Sequence, residues 1–234
     1  MFETSTLSWE RSNPSRIGLP GVRLAHPVRG VLQTGAILVI AGFLTDFAEQ
    51  STFDRPLDVL IAVCLASHLL LFVVSTAYHC LPWLPVSKSR MQRVDHSAIY
   101  VKIAASAGPF AWFGFGPSVA TGLIALTWAI ALVGVVQKTF FAGVHERISS
   151  YVQVAQAILM LPAILEVVAR STAEIAAPLL LGALCYSVGG AVFLLERPRL
   201  WPEVYSFHEV FHTLVVIGGI STGIALLALA RTSL

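Results

Sequence analysis

LDVLIAVCLASHLLLFVVSTAYHCL, residues 57–81, decides the class of fold. From Val59 to Leu81 the stretch carries no Asp, Glu, Lys or Arg, and it exceeds the roughly 20 residues a helix needs to cross about 30 Å of hydrocarbon. Lipid offers backbone amides no hydrogen-bond partners, so a segment immersed in it must satisfy them internally, as a helix. Outward from it, similar apolar stretches recur at about 28–47, 94–114, 118–137, 149–168, 175–195 and 207–230. The reading is an all-α polytopic membrane protein: a bundle of seven transmembrane helices, with residues 1–27 a tail and 28–234 the membrane domain.

Composition agrees. The 234 residues are 56% hydrophobic and only 12% charged, against about 25% charged in a typical soluble domain. A net charge of +2, with the basic residues dispersed, gives no footprint for nucleic acid. Cys64, Cys80 and Cys185 lie in or beside apolar segments without C-x-x-C spacing, so they read as packing residues, not disulfides or thiolate ligands. Residues 1–27 are polar and show no apolar core followed by a small-residue cleavage site, so the first helix is expected to target the chain.

Prolines mark the boundaries. Pro56 and Pro202 precede the second and seventh stretches and Pro82 and Pro85 follow the second, where a missing N–H does least harm. Gly114 to Pro117 leaves room only for a tight hairpin between the third and fourth. The N-terminal segment and the loops after the second, fourth and sixth helices hold Arg11, Arg16, Arg23, Arg29, Lys88, Arg90, Arg93, Lys138, Arg147, Arg197 and Arg199, against Arg55, Arg170 and Arg231 on the other side. Basic loops stay in the cytoplasm, which predicts the N terminus inside and the C terminus outside. Lys102 falls in neither set.

Ionisable groups in membrane helices are costly, so each needs a partner or a purpose. Ser75 and His79 close the second helix, Asp95 opens the third, and His208 and His212 open the seventh, all near the predicted cytoplasmic face. Ser75 and His79, like His208 and His212, are i,i+4 pairs about 40° apart on a helix surface. Three imidazoles at one depth suit Zn²⁺ and leave a fourth position for water. Asp95 could hold that water as general base, with Ser75 orienting a ligand or substrate. The plainer alternatives are that the histidines are interhelical hydrogen-bond partners and that Asp95 answers the helix dipole.

His208 to His212 also spells H-E-x-x-H, the zinc-protease pattern in which Glu209 would be the base. No further acidic ligand follows His212, and Glu209, about 100° from His208 on the helix, is expected to face the aqueous interface. His68 lies roughly 16 Å deeper than His79 and reads as a packing histidine; His96 points about 100° away from Asp95. Lys102, on the face of Asp95, could pair with it, contact an anionic lipid or snorkel. His26 and His145 fall in predicted loops.

Three motifs carry a resemblance: Ser75-Thr76-Ala77-Tyr78-His79, Arg93-Val94-Asp95-His96-Ser97-Ala98-Ile99-Tyr100, and Phe207-His208-Glu209-Val210-Phe211-His212. With Tyr186 to Ala191 and its Gly189-Gly190, they make the chain similar to the hemolysin III family, bacterial relatives of the adiponectin and progestin receptors and, more distantly, of the alkaline ceramidases. The resemblance implies a seven-helix bundle in a bacterial inner membrane, its N terminus cytoplasmic. It also implies zinc held by His79, His208 and His212, with Asp95 near the bound water and Ser75 beside it. Lys102 departs from the apolar residue the family pattern leads one to expect. The superfamily is linked to hydrolysis of lipid amide bonds, and the bacterial branch is named for cell lysis. Two functions follow as expectations: a zinc-dependent hydrolase acting on an amide or ester of a membrane lipid, or a non-enzymatic lipid sensor or regulator of membrane state with structural zinc. Pore formation would need continuous polar helix faces that the chain lacks.

Overall fold

The computed structural model describes residues 27–141, 146–201 and 205–232. Apart from Pro27, the predicted tail at 1–27 lies outside the described residues, as do His26, His145 and Pro202. In chain order the helices are α1 (Pro27–Gln50), α2 (Pro56–Cys80), α3 (Pro85–Phe115), α4 (Pro117–Phe140), α5 (Glu146–Ile158), α6 (Leu161–Arg170), α7 (Ala173–Leu195) and α8 (Phe207–Thr232). Among the described residues there is no strand, only an isolated bridge between Trp201 and Tyr205. Six segments are long and apolar enough to cross a membrane: Val28–Gln50, Pro56–Cys80, Pro117–Phe140, Ile148–Arg170, Ala173–Leu195 and Phe207–Thr232.

Pro56 opens α2 as expected, and Pro85 and Pro117 likewise stand in the first turn of α3 and α4, where no intrahelical N–H bond is lost. Two elements differ from the sequence reading. The third helix starts at Pro85 instead of near 94, so the polar run from Ser87 to Arg93 is a helical extension of the apolar part. The fifth stretch is broken at Leu159 and Met160 into α5 and α6; Pro162, at the start of α6, lacks the N–H an unbroken helix would use. The hairpin after α3 turns on Gly116, whose φ of +77° is one that side chains disfavour.

α1, α2, α3, α6, α7 and α8 form a closed ring of neighbours, with α4 packed against the outside of α3. α3 mediates on both flanks because its buried face is small: Ala104, Ala105, Ala107, Gly108, Ala111 and Gly114. Small residues let membrane helices approach closely where apolar burial gives no net drive in lipid. Gly134 of α4 shows the requirement, since a Cβ there would lie 2.6 Å from the Tyr100 ring of α3. α4 meanwhile turns Leu126, Leu132, Val133 and Phe140 outward, as a lipid-facing surface should. α2 and α8 are the most buried of the six spans, and their polar residues meet.

Candidate metal centre

His79 ends α2, while His208 and His212 occupy the first two turns of α8. Their rings converge. The centroid separations are 5.3 Å for His79 to His208, 4.8 Å for His79 to His212 and 4.9 Å for His208 to His212. One nitrogen from each lies within 4.8 Å of the others, so the three form a cluster that could hold a metal ion. His79 and His212 are buried and His208 is half-buried.

Asp95 enters from α3, with Oδ2 4.0 Å from Nε2 of His79. It is buried beside the buried Ser75, one turn before His79. All five residues singled out in the sequence thus meet at one end of the bundle, three as imidazole donors, one as a carboxylate and one as a hydroxyl.

The donor set suits a divalent ion of imidazole affinity. Tetrahedral coordination at about 2.0–2.1 Å puts nitrogens about 3.4 Å apart. The cluster is wider than that by on the order of 1 Å, a gap that small rotations of three side chains would close. Neutral imidazole is the required ligand form.

α1 supplies two residues that sequence reasoning missed. Arg29 donates through Nε to Oε1 of Glu209 at 2.8 Å and through Nη1 to Nδ1 of His79 at 3.0 Å. One turn on, the Gln33 carboxamide lies 2.9 Å from Ser75 Oγ and 2.8 Å from Nδ1 of His212. Arg29 had been counted only as a basic residue of the N-terminal side. The available signal is two polar residues at i,i+4 in a stretch, Pro27 to Leu44, that is otherwise apolar but for Thr34.

Glu209 does not face the aqueous interface, as the sequence suggested, but is buried. Its Oε1 takes Arg29, and its Oε2 accepts the backbone N–H of Ser206 at 2.9 Å. Ser206 to Glu209 is an S-x-x-E capping pattern, so this glutamate closes the start of α8. Both oxygens are engaged, which removes the vacant base that the protease pattern requires.

Lys102 makes no ion pair with Asp95. Its Nζ lies 3.3 Å from the centroid of the Tyr186 ring. His68 is buried, with Nδ1 2.8 Å from the Cys64 carbonyl and Nε2 3.3 Å from the Tyr186 hydroxyl, as befits a packing histidine.

Membrane-length helices that gather three imidazoles, a carboxylate and a hydroxyl at one end of their bundle define an integral membrane protein with a candidate metal centre. Its sequence matches the family described as Haemolysin-III related over residues 31–222, a span holding Gln33 and all five site residues. The chain belongs to that family. It is 30% identical over 152 residues to the hemolysin-3 homolog of Bacillus subtilis (strain 168), covering 65% of this chain and 68% of that one. To hemolysin-3 of Bacillus cereus it is 27% identical over 196 residues, 84% of each chain.

Proposed function

We propose that this protein binds zinc and hydrolyses an amide or ester bond of a membrane lipid that enters sideways from the bilayer. The observation that carries the reading is the meeting of His79, His208 and His212 within 4.8 Å beside a buried carboxylate. These histidines would hold the ion. Zinc there supplies a Lewis acid and a water acidified to about pKa 7. Asp95 Oδ2 takes up a proton at the cluster and returns it to the leaving group, while Ser75 Oγ, beside Asp95, orients the lipid substrate.

The same reading makes α3 a seventh span. Its part from Ala98 to Phe115 crosses the membrane, while Lys88, Arg90 and Arg93 remain at the surface. In this reading the excess of basic residues on that surface, as counted along the sequence, puts it and the candidate site on the cytoplasmic side, and the membrane is an inner one. Metal analysis of purified protein with a lipid-hydrolysis assay tests the proposal. About one zinc per chain is expected, with free fatty acid released from an amide- or ester-linked lipid.

The second reading, a lipid sensor with structural zinc, draws on the fact that the histidines tie α2 to α8, helices far apart in sequence. Chelation separates the two. A fall in melting temperature with no lipid product at any metal level favours the structural role.

A further inference from the structure

We propose that Gln33 is a positioning residue that prepares His212 to bind the metal. The inference rests on the zinc reading above. α1 contributes no candidate ligand, yet it buries Gln33 to 1% exposure in an apolar helix. Its carboxamide meets His212 Nδ1 at 2.8 Å, Ser75 Oγ at 2.9 Å and Thr76 Oγ1 at 3.4 Å. A buried amide that costs this much to desolvate is held by what it bonds.

An imidazole that coordinates through Nε2 carries its proton on Nδ1 and needs an acceptor there. In the structure Gln33 Nε2 faces Nδ1 of His212, with Oε1 turned to Thr76. With the amide nitrogen facing Nδ1, the ring's proton sits on Nε2 and the metal-binding lone pair is lost. With the amide oxygen facing it, the proton sits on Nδ1 and Nε2 is a ligand. The two ends of a carboxamide are nearly equal in size, so a half-turn exchanges donor for acceptor and keeps the contacts.

That half-turn also changes what Ser75 meets. A serine hydroxyl has one proton. While the Gln33 nitrogen donates to Ser75 Oγ, that proton points away from Gln33. Once the amide oxygen faces Ser75, the proton turns to Gln33. The same rule requires Arg29 to leave Nδ1 of His79 when that ring coordinates through Nε2, because a guanidinium only donates.

The test compares wild type with Gln33→Leu, Gln33→Met and Gln33→Glu, all in detergent. Zinc affinity is read by competition with a chromogenic chelator, and site geometry by the visible absorption of the Co²⁺ form. The two apolar variants are expected to bind zinc about 10- to 100-fold more weakly, the usual effect of losing an outer hydrogen-bond partner of a ligand. Gln33→Glu, which only accepts, should stay within about threefold of wild type and keep its Co²⁺ spectrum. If the leucine variant fails to fold, the methionine variant, close to glutamine in volume, decides. Wild-type affinity in an apolar variant, or a glutamate variant no tighter than the apolar ones, overturns the role of Gln33 alone. A wild-type protein that binds no zinc overturns the metal reading and this inference with it.

Discussion

His79 and His68 stand on one helix, on nearly the same face and roughly 16 Å apart in depth, yet their surroundings differ in kind. His79 meets two more imidazoles and a carboxylate, with one nitrogen of each ring within 4.8 Å of the others. His68 meets a carbonyl and a phenol, while the nearby Lys102 covers the face of that phenol's ring. The first region gathers side chains of one ligating kind. The second pairs unlike groups, ring nitrogen with carbonyl and hydroxyl, and ammonium with aromatic face. A membrane interior tolerates both arrangements, because each relieves the cost of polar groups in hydrocarbon, but only the first brings together a donor set that suits a metal ion.

The sharpest way to break the contrast is to delete one imidazole from each region. His79→Ala or His212→Ala is expected to drop bound zinc from about one to below about 0.2 per chain, since two nitrogens make a poor zinc site. His68→Ala should leave zinc content unchanged. Elemental analysis after size-exclusion chromatography reads both. Zinc retained in the first pair, or lost from the third variant, would erase the distinction.

Next in size is Asp95→Ala. If the carboxylate moves protons, turnover of the lipid substrate should fall by about 10²- to 10⁴-fold with zinc retained. Loss of metal instead would recast Asp95 as a ligand.

A third change acts on stability. Glu209→Ala leaves the Arg29 guanidinium buried without its carboxylate, and breaking such a pair from one side costs about 3 kcal/mol or more. Reversible unfolding in mixed micelles should show it. Glu209→Gln, which retains shape and an acceptor, should keep turnover, whereas the protease reading of H-E-x-x-H requires that it abolish it.

These residues also mark what could be read from the chain in advance. His79, His208 and His212 were legible because helix period and predicted depth are local quantities, and an i,i+4 pair declares its face. Asp95 and Ser75 followed from the same depth. Gln33 and Arg29 were not legible, because which face of α1 meets α2 and α8 depends on packing between segments nearly the whole chain apart. Glu209 was misplaced for the same reason: its spacing from His208 is local, but its partner is Arg29, 180 positions away. The early start of α3 shows a different limit, since charge marks where the bilayer ends and says little about where a helix ends.

The smallest expected effect probes whether the two regions are independent. Tyr186→Phe removes the hydroxyl that meets His68 but keeps the ring beneath Lys102, so the ammonium retains its aromatic partner. An interhelical hydrogen bond in a membrane is worth on the order of 0.6 kcal/mol, and the melting temperature should fall only slightly. Zinc affinity should not move, because the buried Phe72 stands between the two levels of α2 and carries no polar group that could relay a change. A shift in zinc affinity beyond about threefold, roughly the factor that 0.6 kcal/mol represents, would mean that the saturated cluster sets the register of α7 against α8 and through it the position of the histidines. The contrast would then be one of chemistry only, with both regions acting on the same site.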